Sequence, residues 1–153
     1  MKKKHIILSA FLCLIAFSIS AQQLGNEWIN YGQSYYKFKL HQNGFYRIPI
    51  ASLTNVGFPN SVLGDQIQVF KDGIEIPIFV STSAALTSTD YIEFYGEKAN
   101  GNLDKRLFQD TTLQLNPSQN LTSDTSYYFI TFNSNPGHNR FVPVANNLTN
   151  LPA

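Results

Sequence analysis

Two apolar stretches, Gln66–Lys71 and Ile74–Val80, are separated by only Asp72-Gly73. No other feature constrains the folding of this chain as tightly. Asp-Gly between alternating hydrophobic residues favours a type I′ turn, whose twist matches that of the strands it joins. A two-residue loop sets the pairing: Lys71 with Ile74, Val69 with Ile76 and Ile67 with Ile78. The last two pairs place four β-branched residues on one face, so the register dictated by the turn coincides with the register that burial demands. Pro77 has no N–H for a ladder, which puts Ile74–Val80 at a sheet edge or at a non-bonded site.

Alternation of the same kind recurs along the chain, and no stretch after residue 21 holds a helical period over three turns. Further strands are predicted at Ser34–Leu40, Phe45–Ile50, Tyr91–Tyr95, Tyr127–Phe132 and Arg140–Val144, with one helical turn within Ala51–Val56. A second hairpin is expected around Gln42-Asn43-Gly44. A three-residue loop there pairs Leu40 with Tyr46 and Phe38 with Ile48, aligns their apolar faces and puts Gly44 in the left-handed position. It also sets Lys39 beside Arg47, two like charges that either splay into solvent, the expected outcome, or meet an acidic partner. Short antiparallel strands joined by turn chemistry indicate an all-β protein, an antiparallel β-sandwich of jelly-roll-like form. Between Gly96 and Ser126 the chain turns polar and irregular, and long loops on β scaffolds often carry function.

The first residues read as an export address. Lys2, Lys3 and Lys4 precede an apolar run from Ile6 to Phe17, and Ser18, Ser20 and Ala21 are small residues of the kind that border a cleavage site. The run is shorter than the roughly 20 residues a spanning helix needs, so no membrane span is expected after cleavage. Cys13 lies within the run and follows Leu12 rather than a small residue, which argues against lipidation. The expected organisation is a signal peptide at 1–21, a sandwich domain at 22–138 and a linker at 139–153 leading toward a further C-terminal region. Cleavage after Ala21 leaves 132 residues with a net charge of −2 and no cysteine. Such a chain has no disulfide and no thiolate, and burial alone must hold it, which about 130 residues can support.

With 11 basic against 10 acidic residues, scattered cations and no glycine-rich phosphate loop, nucleic-acid and nucleotide partners are set aside. Aromatic residues at 14% set aside a disordered chain. Residues suited to catalysis are scarce. His41 and His138 have no second His or Cys at metal-ligand spacing, and both read as solvated loop residues. No Gly-x-Ser-x-Gly elbow is present. Glu93 and Glu97, near Asp90 and Asp104, would serve glycoside hydrolysis only if two carboxylates were held roughly 5 to 9 Å apart. Glu93 alternates with Ile92 and Phe94 and is expected to point outward into solvent. Asn100, Asn102 and Asp104 alternate as calcium-loop ligands do, although the twelve-residue signature is absent and Lys105-Arg106 follows at once. No catalytic residue, metal or cofactor is therefore assigned. The tyrosines come partly in adjacent pairs, which points one ring of each pair inward and one outward. Tyr35, Tyr91, Tyr95 and Tyr127 are candidates for stacking on saccharides, with ordinary sheet packing as the plainer alternative.

Several runs follow one another in a recognisable order. They are Glu27-Trp28-Ile29-Asn30-Tyr31, Tyr35-Tyr36-Lys37-Phe38-Lys39, Asn43-Gly44-Phe45-Tyr46-Arg47-Ile48, Val69-Phe70-Lys71-Asp72-Gly73 and Asp90-Tyr91-Ile92-Glu93-Phe94-Tyr95-Gly96-Glu97. Gly101-Asn102-Leu103-Asp104, Asn116-Pro117 and Asp124-Thr125-Ser126-Tyr127-Tyr128-Phe129 complete the set. Together, over about residues 25 to 135, they resemble the N-terminal region of large secreted proteins of the gingipain cysteine peptidase family. The resemblance is to the branch similar to the sortase-like component of the bacterial type IX secretion system. It implies a non-catalytic accessory or propeptide-like β-sandwich placed before a caspase-like peptidase domain of the same polypeptide. It also implies contact with other type IX secretion components, and residence in the periplasm, outer membrane or cell surface of a Gram-negative bacterium. The Cys nucleophile and His base of that family match no residue here. Gingipain-like enzymes cut after Arg or Lys, so Lys105 and Arg106, and after them Arg47, are candidates to occupy a primed site. The plainer reading of the pair is solvated charge. The alternative function is a stand-alone secreted module that binds glycans or a surface partner through exposed tyrosines.

Overall fold

The computed structural model describes residues 25–135 and 137–144. The expected signal peptide and the last nine residues of the expected linker, 145–153, lie outside the described residues. In chain order the elements are β1 (Tyr36–Leu40), β2 (Gly44–Pro49), the short helix α1 (Ile50–Thr54), β3 (Ile67–Lys71), β4 (Ile74–Ile76), β5 (Phe79–Val80), β6 (Tyr91–Gly96) and β7 (Ser126–Phe132). The strands form two antiparallel sheets, one of four in the order β1-β7-β3-β4 and one of three in the order β2-β6-β5. The first strand pairs with the last and the second with the last but one, in opposite sheets. These two pairs nest as in a jelly roll, whereas β3 and β4 make a local hairpin within one sheet.

Alternation along each strand builds the core between the sheets. In β6, Ile92 and Phe94 are fully buried while Tyr91, Glu93 and Tyr95 face away. In β7, Tyr128 and Ile130 are buried in the same way, and Ile67 and Val69 join them from β3. Phe38 stacks on Tyr128 at 5.4 Å in one sheet and Tyr46 on Phe94 at 6.0 Å in the other, and Phe94 meets Phe38 and Tyr128 across the core at 5.7 Å and 5.6 Å. Each fully buried side chain of this size contributes about 1.5–3 kcal/mol.

The Asp72-Gly73 turn forms as expected. Both residues have positive φ, 51° and 82°, and Lys71 pairs with Ile74 and Val69 with Ile76. A Cβ at Gly73 would also come within 2.7 Å of Trp28 Cδ1, so glycine is required there twice over. The third expected pair, Ile67 with Ile78, does not form, because β4 ends at Ile76, before Ile78 is reached. Pro77 ends β4, and the chain then crosses to the other sheet, where Phe79 and Val80 pair with β6. The single strand expected at Ile74–Val80 is therefore two strands in two sheets, each at an edge. Ile78 lies between them with its side chain fully buried.

The expected hairpin at Gln42-Asn43-Gly44 is overturned. β1 pairs with β7 and β2 with β6, so this segment crosses between sheets, and Gly44 is not among the residues with positive φ. The apolar faces of β1 and β2 do face each other, but across the core rather than side by side. Lys39 and Arg47 accordingly stand in different sheets, and Arg47 meets an acidic residue, Glu93, its direct neighbour on β6. The strand expected at Arg140–Val144 is reduced to one parallel bridge between Arg140 and Ile78. Ile78, between β4 and β5, supplies the backbone groups that bond it. Its N–H donates to Asn139 O, and its carbonyl accepts from Phe141 N–H. Backbone bonds thus tie the chain to the sandwich as far as Phe141.

Candidate functional site

The outer face of the four-stranded sheet carries Lys37 and Lys39 from β1, Tyr127 and Phe129 from β7 and Phe70 from β3. Trp28, the only tryptophan, lies on this face. Its ring stacks on Phe70 at 5.1 Å, tilts against Phe129 at 5.4 Å and meets the edge of Tyr35 at 5.6 Å. The segment before β1 is thereby pinned across the sheet.

The long connection between β6 and β7 rises beside Trp28. It contains two 3-10 turns, Leu103–Leu107 and Thr111–Leu113, and internal bonds fold it back on itself. Asp104, buried, accepts from Asn120 Nδ2 at 3.1 Å and from Leu121 N–H at 2.9 Å. Gly101 N–H donates to Pro117 O, and Ala99 N–H to Asp124 O. Between this loop and the sheet face lies a cleft of about 530 Å³. Its floor is Trp28, Tyr127 and Phe129, and its walls include Asn100, Asn120 and Ser123. Three charged side chains reach it: Lys37, Arg106 and Asp72. The Lys37 ammonium sits 3.9 Å above the Tyr127 ring. Burial raises the Asp72 carboxyl above its ordinary range, a push that neighbouring Lys71 partly opposes and Glu97 reinforces.

At the end of the core next to this cleft, the Lys71 ammonium is buried and bonded to Glu97 Oε2 at 2.8 Å. Tyr128 OH accepts from Glu97 N–H at 2.7 Å and donates to Glu97 O at 3.0 Å. Burial pushes the Tyr128 hydroxyl up to about 12.

The candidate residues read from the sequence divide among separate places. Tyr127 and Arg106 line the cleft together with Asn100. Lys105 is exposed on the first 3-10 turn. Arg47 is fixed on the opposite side of the sandwich: it donates to Glu93 through Nε at 2.8 Å, and its guanidinium lies 4.0 Å from the centre of Tyr91's ring. Tyr91 and Tyr95 belong to that outer face of β6, while Tyr35 packs against Trp28. Glu93 does point outward as expected, but into an ion pair rather than free solvent. The oxygens considered for calcium have other duties. Asp104 clamps residues 120 and 121, and Asn100 Oδ1 accepts from Asn102 N–H. Among the described residues, no group of three or more His, Cys, Asp or Glu could hold a metal ion.

His41 is exposed, and its Nδ1 lies near both Thr125 Oγ1 at 2.9 Å and Asp124 Oδ1 at 4.0 Å. A catalytic relay uses the two ring nitrogens for different partners, whereas both neighbours here share one. His138 corrects the expectation of a solvated side chain. Its ring is buried, with Nδ1 at 3.8 Å from Glu75 Oε1 and Nε2 without a hydrogen-bond partner. Sequence reasoning passed over Trp28, Lys37 and Asp72 as cleft residues. A lone tryptophan just ahead of the first strand was the one available signal.

The chain matches no protein-family model, no curated protein and no solved structure. The fold itself defines the class, an all-β antiparallel sandwich of two unequal sheets. Among the described residues, no helix is long and apolar enough to cross a membrane.

Proposed function

We propose that this chain is the non-catalytic N-terminal accessory domain of an exported gingipain-like cysteine peptidase associated with type IX secretion. On this reading it works in the periplasm, outer membrane or cell surface of a Gram-negative bacterium. It docks on the peptidase domain of its own polypeptide through the outer face of the three-stranded sheet. The observation that carries the reading is the state of that face. Phe45 is 79% exposed, Tyr95 46% and Phe79 42%, with the Arg47–Tyr91 pair among them, whereas Trp28 covers part of the other sheet. Uncovered aromatic residues with arginine are the composition of an interface core. The resemblance gives separate support, because several residues that carry it have scaffold duties here. Asn43 Oδ1 accepts from Lys98 N–H, Asp72 and Gly73 make the turn, and Asp90 accepts from Ser81 and Thr87.

The test adds the purified protein to a refolding gingipain-like peptidase and follows both recovery and activity. The intact protein is expected to raise recovery or lower activity. A Phe45→Asp, Tyr95→Asp double variant is expected to lose that effect, both side chains being exposed and outside the core. Comparison with a Lys105→Ala, Arg106→Ala variant separates docking from occupation of a primed site. If the intact protein changes neither quantity, the proposal fails. A second reading, a stand-alone secreted module that binds glycans or another surface, is supported by the aromatic floor of the cleft.

A further inference from the structure

We infer that the cleft between the loop and the four-stranded sheet binds an acidic saccharide, a sugar chain bearing uronic-acid carboxylates. The inference deepens the glycan-binding reading and needs neither a peptidase domain nor the docking face. The cleft volume, about 530 Å³, lies within the range of small-ligand sites, roughly 300–1,000 Å³. Its floor is aromatic, and Trp28 is already held edge and face by Tyr35, Phe70 and Phe129, so a sugar ring meets a preformed surface. The charge is specific. Among the described residues neither Lys37 nor Arg106 has a carboxylate partner. Lys37 is held in place above Tyr127, and the Arg106 guanidinium lies against Gly25, at the rim next to Trp28. Two cations thus oppose the single carboxylate of Asp72, which Lys71 also faces. Asn100 uses its Oδ1 on the Asn102 N–H, which leaves its amide hydrogens as donors for sugar hydroxyls. A planar guanidinium and an ammonium at an aromatic floor suit a ring that carries a carboxylate.

The sole tryptophan lines the cleft, so its fluorescence reports occupancy directly. The purified protein is titrated with oligogalacturonate, with a neutral galactose oligomer and with a short peptide carrying a free C-terminal carboxylate. The expected result is a saturable change with oligogalacturonate that weakens as salt rises and is several-fold weaker with the neutral oligomer. Arg106→Ala and Lys37→Gln, both at exposed positions, are each expected to weaken binding roughly tenfold, the size of one charge-assisted hydrogen bond. Circular dichroism of the variants checks that the sandwich persists. Equal binding of neutral and acidic oligomers overturns the acidic specificity but leaves the glycan reading standing. No saturable response to either sugar overturns both. A response to the peptide alone overturns the saccharide assignment.

Discussion

At the scale of single residues, the physical chemistry concentrates at Tyr128. The side chain is almost fully buried, and its hydroxyl both accepts from and donates to the backbone of Glu97. Burial disfavours the phenolate, so the hydroxyl is lifted from its ordinary 10.0 to about 12. A group whose folded value is raised holds its proton more tightly when folded. Its stabilising effect is therefore complete below the unfolded value and declines as pH climbs through the folded one. Tyr128→Phe is expected to cost about 1–2 kcal/mol at neutral pH, through the lost bonds to Glu97. The gap between variant and wild type should then narrow as pH rises from 10.0 toward 12, measured by denaturant unfolding at each pH. A gap that stays constant across that window contradicts the burial argument. Arg47 makes a related point. Its bond to Glu93 holds its guanidinium above the ordinary value, and the same bond keeps it from serving as a free basic side chain.

At the scale of elements, a local clamp decides the shape of the cleft. The β6–β7 connection contains little regular structure, and Asp104 ties its first 3-10 turn to residues 120 and 121. Asp104→Ala leaves two donors without their acceptor, a loss of about 1–3 kcal/mol. Because Lys105 and Arg106 follow directly, loosening of this turn should appear as faster tryptic cleavage after those residues, with little change in the core. Cleavage at the wild-type rate would show that the clamp does not hold the turn. The elements also mark how far the sequence can be read. The Asp72-Gly73 turn was legible because both of its constraints, turn chemistry and alternation, act over a few residues. At Gln42-Asn43-Gly44 the same alternation misled. A strand with one apolar face satisfies burial equally well beside its neighbour or across the core from it. The cleft was legible only in pieces. Tyr127, Arg106 and Asn100 belonged to three different hypotheses, and the fold alone brought them to one place.

At the scale of the molecule, the nested pairing makes the fold depend on distant contacts. β1 pairs with β7 from Tyr36 opposite Ile130 to Leu40 opposite Ser126. Closing such separations is slow, so refolding is expected in about milliseconds to seconds. Trp28 packs on Phe70 of β3 and Phe129 of β7, which are themselves opposite each other in the ladder. Its fluorescence in stopped-flow refolding should therefore change only after those strands have paired. A Trp28 signal completed within microseconds would contradict that order. The sequence by itself determined the all-β class, the outward and inward faces of β6 and β7 and the β3–β4 register. All of these rest on interactions between near neighbours: backbone geometry at glycine, and the two-residue period of a strand. Tertiary structure alone decided that β1 and β2 separate into two sheets, that His138 is buried against Glu75, and that Trp28 packs onto the outer face of the four-stranded sheet. Those outcomes depend on which apolar face meets which across the core. That is a competition over the whole chain, since hydrophobic attraction has no direction and favours any arrangement that removes enough apolar surface from water.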